Sequence, residues 1–478
     1  MNPSPLSEEK QALRHQFEEQ AVIFFSILKW VILATVAGAI VGAASFLFIE
    51  LLEWATGRAV QLSGYFFLAI PFVFLFNTWA IRKFPPDAAG HGTEKVIEAV
   101  HKKNGKINPS VIPIKLFTTI LTLASGGSVG KEGPCAQIGA GLTSFGAQLV
   151  GLKPRDRRKL VICGISAGFA AVFGTPISGA FFGVEVLFVG GIMYEVMLPS
   201  FIAGITAYQV SSALGMHHFH SSIIFGTSFS ESFFVKIILA GVFFGIVSSL
   251  LVESVRFTEK RAKAWKAPAW AKNLIGGCVL VGLVFLLGKD YLGLGMGQVT
   301  QALRGDELVW YAFLAKLLFT VLTLSFGGSG GILTPIFFIG ATAGSALAYA
   351  TGMDPAAFAA LGMVAVLAGA ANTPIAASIM GVELFGPELG PYAAVACVIS
   401  FLMTGHRSVY PSQILQVSKS DSLEIELGKD MDSQDTAVPH EQRYRLYGWL
   451  RFSKRLKRLL GRQVAHWKEK SADNEPKG

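Results

Sequence analysis

The hydrophobic positions of this chain form long runs that follow one another almost to residue 404. Clear apolar runs, the first interrupted by Lys29, cover residues 22–49, 66–81, 237–252 and 274–287. Glycine and proline break the uncharged stretches 317–353 and 355–382 into pieces shorter than the ~20 residues that a simple transmembrane span needs. Broken helices are tolerated at membrane depth only where they are buried in protein or line a cavity. The pattern therefore predicts an all-α integral membrane protein with tilted, partly re-entrant helices.

Polar residues mark both ends of the chain. Residues 7–20 are charged, with Leu13 and Phe17 at helical spacing, which predicts an amphipathic cytoplasmic helix over residues 1–20 and not a signal peptide. Residues 443–470 carry ten Lys or Arg and one acid, with large apolar residues mostly three or four apart. We expect residues 421–478 to form a basic cytoplasmic tail that lies on anionic membrane lipid, with a solvated tail as the alternative.

Composition supports the membrane assignment. Of 478 residues, 52% are hydrophobic and 15% are charged, whereas a soluble domain carries roughly 25% charged residues. So hydrophobic a chain is not intrinsically disordered. The net charge of +9 equals the ten basic residues less one acid of segment 443–470, so the rest of the chain balances to zero. A nucleic-acid partner is therefore not expected.

The cysteines suggest no special chemistry. All four lie in apolar stretches without a CxxC spacing, which is typical of small buried hydrophobic residues: Cys135, Cys163, Cys278 and Cys397. We expect no zinc site, redox motif or disulfide framework, and we predict no metal and no cofactor.

An internal repeat with an offset of about 200 residues organises the chain. Residues 115–130 align with 316–331, from Lys115 and Lys316 to the glycine loops Gly-Gly-Ser-Val-Gly and Gly-Gly-Ser-Gly-Gly. Further matches, in the same order along both copies, pair Gly-His-Gly at 90–92 with Gly-Leu-Gly at 293–295, Thr-Pro-Ile at 175–177 with 373–375, and Gly-Val-Glu at 183–185 with 381–383. These ordered matches indicate a duplication, with repeat halves at about 21–215 and 231–405.

Charge predicts that the two halves are inverted. The connector 153–159 contains five basic residues, whereas its counterpart 352–358 contains none. By the positive-inside rule the first is cytoplasmic and the second is on the other side of the membrane. Inverted repeats are common in secondary transporters, whose sites lie near the midplane where interrupted helices meet. This points to the loops 90–94, 126–134 and 327–335.

Each of these loops turns from a glycine-rich stretch into an apolar helical one. A helix start buried in the membrane presents unpaired N–H groups and the positive end of the helix dipole, which suits an anion. Glu132 stands at such a turn, where its carboxylate competes with an anion and protonation would release it. The alternatives are glycine used only for helix packing and a carboxylate that only caps a helix. Glu185 and Glu383 are predicted to be hydrogen-bond anchors.

Two other functions fit parts of the glycine loops less well. Residues 126–131 resemble a phosphate-binding loop, but the spacer is one residue short, and Glu132 replaces the Ser or Thr that would bind magnesium. Ser128 and Ser329 both stand in Gly-x-Ser-x-Gly, the nucleophile pattern of serine hydrolases. An intramembrane serine hydrolase is disfavoured because no histidine lies in a clear span and both halves carry the motif. We expect no enzyme activity.

With these residues in view, the chain resembles the CLC family of chloride channels and chloride/proton antiporters over residues 20–420. Residues 130–134, Gly-Lys-Glu-Gly-Pro, match that family's G(K/R)EGP motif. Residues 331–335 match GxFxP with Leu333 in place of Phe, and residues 90–94 replace GSGIP with Gly-His-Gly-Thr-Glu. Tyr410 falls where the family has its pore tyrosine. This part is the expected CLC-like transmembrane domain, residues 21–420.

The resemblance implies a multi-pass homodimer in membrane lipid, with one chloride pathway per subunit and both termini in the cytoplasm, in a bacterial inner membrane. It implies that Glu132 is the gating, proton-binding glutamate. It implies an anion site formed by His91, Gly92, Lys131, Gly133, Ile332, Leu333 and Tyr410. An imidazole at position 91 would add a pH dependence that the usual serine lacks.

Two departures from the family leave the mechanism open. Val186 stands where proton-coupled members have an internal glutamate, so both a strict channel and an exchanger that carries protons are possible. His91 leaves the anion open between chloride, which Tyr410 and residues 130–134 favour, and fluoride.

Overall fold

The structure, a computed structural model, describes residues 5–219 and 231–434, with side chains from residue 14 in the first part and from residue 233 in the second. Helices dominate the described residues. The first half contains α1 to α8, at Pro5–Leu62, Ile70–Lys83, Thr93–Lys102, Val111–Ala124, Glu132–Leu149, Pro154–Phe173, Pro176–Glu185 and Tyr194–Ala213. The second half contains α9 to α16, at Glu231–Ala264, Ala269–Leu287, Met296–Arg304, Ala312–Ser325, Leu333–Thr351, Pro355–Ala371, Pro374–Phe385 and Gly390–Met403.

The prediction of an all-α membrane protein with broken helices is confirmed. Five helical stretches in the described part are long and apolar enough to cross a membrane: Arg14–Leu62, Phe66–Lys83, Phe233–Ala264, Ala269–Leu287 and Leu333–Thr351. Other apolar helices have only 10–17 residues. Helix α1 is continuous from Pro5, so the amphipathic segment and the first span are one helix. The predicted amphipathic tail, residues 443–470, lies outside the described residues.

Apolar side chains face both the interior and the outside of the bundle. Helices α13 and α14 are almost wholly buried, whereas Leu286 on α10 is 79% exposed and Phe72 on α2 is 69% exposed. An outer surface rich in apolar residues is favourable only in lipid. Cys278 also lies on this surface, which corrects the expectation that all four cysteines are buried, while Cys135, Cys163 and Cys397 are buried.

Proline sets the start of several helices, and asparagine ends one of them. Pro154, Pro176, Pro355 and Pro374 each occupy the first residue of a helix, where a missing N–H costs nothing. At the end of α14, Asn372 adopts a left-handed conformation with φ of 56° and stops the helix. These breaks keep α7 and α15 short.

Reciprocal hydrogen bonds join the two halves. Glu383 on α15 accepts the backbone N–H groups of Ile177 and Ser178 at the start of α7, at 2.9 and 2.7 Å. Glu185 on α7 accepts those of Ile375 and Ala376 at the start of α15, at 3.1 and 2.8 Å. Each carboxylate satisfies N–H groups that have no partner within their own helix. Because equivalent atoms exchange equivalent bonds, the halves are related by a local two-fold axis, and both glutamates are anchors.

The face that carries the basic connector 153–159 is held together by ion pairs and a small sheet. Lys29 on α1 contacts Asp156 at the start of α6, with 2.5 Å between Nζ and Oδ2. Strand β1, Phe188–Val189, pairs in parallel with β2, Ile414–Leu415, and Leu415 also exchanges backbone hydrogen bonds with residues 428–429. Lys102 on α3 contacts Asp430 at 3.1 Å. Residues 411–434 therefore fold back against α3 and the end of α7.

Replacing Glu383 with alanine will lower the free energy of unfolding by about 1–3 kcal/mol, because the N–H groups of Ile177 and Ser178 lose their acceptor in an apolar surrounding. Glu185→Ala will have a similar effect, and the double variant will show non-additive losses if the anchors act as one unit. Thermal unfolding in detergent checks this. Glu388→Ala, an exposed neighbour of α15, is the matched control. Equal melting temperatures for Glu383→Ala and Glu388→Ala would contradict the anchor role.

Candidate functional site

The loops before α5 and α13 meet at the centre of the molecule. Gly130 and Gly331, equivalent residues of the repeat, exchange two backbone hydrogen bonds of 2.7 Å. This antiparallel pair places the start of α5 beside the start of α13. Two N-terminal helix ends therefore converge, and their dipoles both favour negative charge at this point.

The loop before α3 packs on the same centre through glycines. Gly92 has a φ of 81°, and a Cβ atom there would lie 2.5 Å from the carbonyl oxygen of Gly133. A Cβ atom on Gly133 would in turn collide with the carbonyl oxygen of His91. The backbones approach so closely that both positions need glycine. The structure thus brings together all three loops that the sequence singled out.

Glu132 reaches across the repeat axis to the start of α13. Its side chain is 1% exposed, and its carboxylate accepts the Thr334 hydroxyl at 2.5 Å and the Thr334 backbone N–H at 3.2 Å. A Cβ atom on Gly130 would contact this carboxylate at 2.6 Å, so glycine leaves the room that the carboxylate occupies. The carboxylate therefore takes the position at a helix start that an anion would take.

Ile332 is the N-cap residue of α13 and Leu333 is its first residue, and both are buried. Their amides are among the first N–H groups of the helix, which have no partner inside it. They lie next to Thr334, whose amide bonds Glu132. A bound anion at this helix start would be reached by the same group of amides.

His91 lies at the start of α3 and contacts a carboxylate that the sequence did not single out. Its side chain is buried, and its Nε2 lies 3.3 Å from Oε1 of Glu259 near the end of α9. Its Nδ1 is buried without a hydrogen-bond partner. Glu259 is one-third exposed and is also 3.5 Å from Lys263. His91 therefore lies between the interior and the basic C-terminal end of α9, which carries Lys260, Arg261 and Lys263.

Tyr410 lies near the start of α3 as well. Its side chain is 1% exposed, and its phenol lies near Thr93, the first residue of α3. Two residues later, Ser412 donates its backbone N–H to Glu94 at 3.0 Å, and its hydroxyl also bonds that carboxylate. Burial raises the pKa of the Glu94 carboxyl, and the bonds from Ser412 oppose this shift. The bonds between Ser412 and Glu94 hold Tyr410 against α3.

Lys131 lines a cavity of about 300 Å³ beside the C-terminal end of α1, far along this helix from Lys29 and its partner Asp156. Lys289 and Glu53 also line the cavity. Two ammonium groups and one carboxylate give this vestibule a net positive charge, which raises the local concentration of anions.

Two buried lysines hold the loops before α3 and α11. Lys115 donates to the carbonyl oxygen of Gly90 at 2.7 Å, and Lys316 donates to that of Gly293 at 2.7 Å. Both are fully buried, and the bonds are again related by the repeat. These lysines fix the shape of the loops.

Ser128 and Ser329, the candidate nucleophiles of a hydrolase, are hydrogen-bonded to threonines of the opposite half. Ser128 Oγ lies 3.0 Å from Thr320 Oγ1, and Ser329 Oγ accepts from Thr118 Oγ1 at 2.9 Å. Both serines are buried. These contacts tie each glycine loop to the helix that precedes the other loop.

Val186, at the position of the family's internal glutamate, is fully buried. Its carbonyl oxygen accepts Gln413 Nε2 at 2.8 Å. Because the valine side chain has no ionisable group, this position cannot accept a proton.

Comparison with known proteins identifies the class. Residues 72–405 match the family of voltage-gated chloride channels, so the chain belongs to that family, the CLC family. It is an integral, multi-pass membrane protein, and its function is anion transport.

Individual relatives differ in the ion that their names give. The chain is 34% identical over 409 residues to a chloride/fluoride channel protein of Pseudomonas syringae pv. tomato, covering 84% of this chain and 90% of that protein. It is 25% identical over 392 residues to the H⁺/Cl⁻ exchange transporter ClcA of Citrobacter koseri, covering 73% and 80%. A solved CLC-type fluoride/proton antiporter superimposes with a TM-score of 0.78 at 29% identity, over 82% of this chain and 99% of that one.

Thr334, Glu259 and Glu94 are site residues that the sequence reasoning missed. Thr334 stands at the second unspecified position of the GxFxP motif, and no pattern distinguishes Glu94 from the rest of the loop 90–94. Glu259 gave a weak signal, as an acid just before the basic connector 260–266. All three act through partners far away in sequence.

Replacing Thr334 with valine removes the hydroxyl that bonds Glu132 but preserves side-chain shape. We expect the carboxylate to leave the start of α13 more readily, with anion efflux from proteoliposomes at neutral pH raised several-fold, since a hydrogen bond to a charged group contributes about 1.5–3 kcal/mol. Thr342→Val, on the same helix and bonded only within it, is the control. Efflux in Thr334→Val equal to that of the control would contradict this role.

Proposed function

We propose that this protein exchanges a halide anion for protons along a pathway that Glu132 gates. The observation that carries the proposal is the position of the Glu132 carboxylate on the first amides of α13. An ionised carboxylate there is a tethered anion that competes for the site. A free anion can bind only when the carboxylate leaves, and protonation, by removing its charge, lets it leave.

The anion site that we propose lies where the loops meet. The amides of Ile332 and Leu333 and the hydroxyl of Tyr410 would hold the anion, with Gly133 and Gly92 leaving the backbone accessible. His91 would contact it from the side of the basic connectors, and Lys131 would attract it in the vestibule. Neutral N–H and O–H donors bind an anion without the tight ion pair that would slow its release.

Replacing Glu132 with glutamine mimics the protonated state permanently. We expect anion efflux that no longer rises as pH falls, and proton movement reduced at least tenfold, because the amide takes up no proton. Proteoliposomes with an anion electrode and a pH electrode measure both fluxes. Glu50→Gln, an exposed acid on α1, is the control. A wild-type pH profile in Glu132→Gln would show that the gate lies elsewhere.

Chloride and fluoride are the two candidates for the transported anion. The names of the relatives at 34% and 29% identity include fluoride, and His91 replaces the serine that the CLC motif places beside the anion. Small fluoride is a strong hydrogen-bond acceptor, and a polarised imidazole N–H is a suitable donor. We therefore propose that fluoride is carried in preference to chloride.

Selectivity can be measured in the same proteoliposomes loaded with equal concentrations of potassium fluoride or potassium chloride. We expect fluoride efflux to be at least tenfold faster, and an outward fluoride gradient to drive protons inward against their gradient. His91→Ser, which restores the usual CLC residue, should reduce the preference. Faster chloride efflux in the wild type would assign the protein to chloride, and flux without proton uptake would make it a channel.

We also propose a homodimer in lipid, with both termini in the cytoplasm of a bacterial cell and the protein in its inner membrane. Apolar side chains that point outward on α7, α8, α15 and α16 support a partner surface, among them Ile177, Leu198, Ile375 and Leu402. The basic residues of the face with Lys29, Lys102 and the connectors 153–159 and 260–266 support its cytoplasmic side. The threonine partners of Ser128 and Ser329 support transport without hydrolysis.

A further inference from the structure

In the proposed exchange a proton passes between the cytoplasmic side and Glu132, and the buried Val186 has no titratable group that could relay it. Another titratable group that connects the basic face with the interior can serve as this relay. His91 and Glu259 make such a connection in the described part of the chain. Glu259 is partly exposed near the end of α9, and His91 is buried at the start of α3.

We propose that His91 and Glu259 form the inner proton-loading site, with His91 as the acceptor and Glu259 as the residue that positions and charges it. This inference rests on the proposed proton-coupled transport. The pair does the work that a glutamate at position 186 would do, from a different helix and with a different side chain.

The geometry assigns separate tasks to the two ring nitrogens. Nε2 lies 3.3 Å from the Glu259 carboxylate, so an N–H at this nitrogen is held by the carboxylate. In the neutral ring Nδ1 then carries a lone pair, and Nδ1 is buried with no partner in the protein. A buried polar atom without a partner is costly unless something binds there. A lone pair at this position is able to accept a proton.

Proton uptake changes the His91 ring from neutral to positively charged. A hydronium ion gives its proton to Nδ1: an N–H bond forms, an O–H bond of hydronium breaks, and water remains. The ring becomes a cation, which the Glu259 carboxylate stabilises. Nδ1 then donates instead of accepting and can hold an anion. When the proton moves on to the Glu132 carboxylate, the N–H bond breaks, an O–H bond forms, and the ring is neutral again.

A backbone contact couples the loop of His91 to the loop of Glu132. The carbonyl of His91 packs directly on Gly133, which is adjacent to Glu132 in sequence. The proposed inner acceptor and the proposed gate therefore lie on two loops in van der Waals contact. A displacement of one loop would move the other.

Other charged groups around His91 are already engaged. Glu94 on the same helix interacts electrostatically with His91, but its oxygens accept Ser412. Lys115 on α4 is bound to the carbonyl of Gly90. Charged groups on the elements packed around His91 include Glu94 on α3, Lys115 on α4, Lys131 and Glu132 at the start of α5, and Glu259 and Lys263 on α9.

The test measures proton and anion fluxes of full-length variants in proteoliposomes across a range of pH. We expect Glu259→Gln to lower the ratio of protons to anions at neutral pH at least threefold, and to shift the pH of half-maximal proton flux downward by about one unit or more. The shift is downward because His91 loses the carboxylate that stabilises its cation and needs more acid to protonate. Glu259→Asp should keep the ratio within twofold of the wild type.

Glu253→Gln is the matched control, because Glu253 is also an acid near the end of α9 but is paired with Arg407 at 2.6 Å. A ratio and pH profile in Glu259→Gln equal to those of the wild type would overturn the proposal, as would equal changes in both variants. Histidine ring ¹⁵N NMR, assigned with His91→Gln, gives a second readout. The His91 signal should titrate at lower pH in Glu259→Gln, and an unchanged titration would also overturn the proposal.

The outcome separates this inference from the proposed function. If the wild type couples protons and Glu132→Gln abolishes coupling while Glu259→Gln has no effect, only the inner site is wrong. If the wild type moves no protons, the exchange mechanism and the inner site both fail.

Discussion

The pair of hydrogen bonds between Gly130 and Gly331 is the contact on which the rest of the site depends. It aligns two helix starts from different halves of the chain and brings Glu132 within reach of Thr334. Without this pairing, the N-terminal ends of α5 and α13 would lie apart, each in its own half of the chain. With it, one carboxylate and one anion must share a single electrostatic minimum. The proposed gate and the proposed anion site therefore both depend on one backbone contact.

The same two-fold relation explains why polar groups can be buried so densely in an apolar molecule. Glu185 and Glu383 each cap a helix of the opposite half, and Lys115 and Lys316 hold equivalent loops within their own halves. His91 breaks the symmetry, since its counterpart is Leu294. Function is concentrated where the halves differ, whereas the shared residues maintain the fold.

Much of this arrangement could be predicted from the sequence, because it depends on local patterns. Glycine spacing, the repeat and an isolated acid indicated the three loops and Glu132, and hydrophobic runs indicated the broken helices. The pairing of His91 with Glu259 and of Glu94 with Ser412 could not be predicted, since these partners lie far apart in the chain and share no motif. Cys278 resembles its buried counterparts in sequence, and only the packing of α10 places it on the outside.

The reciprocal caps have a consequence for biosynthesis. The backbone N–H of Ile177 at the start of α7 donates to Glu383, which lies 206 residues later in the chain. This bond can form only after Glu383 has been synthesised. At a synthesis rate of about 5–20 residues per second, this helix end remains uncapped for about 10–40 s. The first half therefore enters the membrane as an incomplete unit that depends on the second half, still to be translated, for its last hydrogen bonds. Because of the duplication, each half needs the carboxylate of the other half to complete the hydrogen bonding at one of its helix starts.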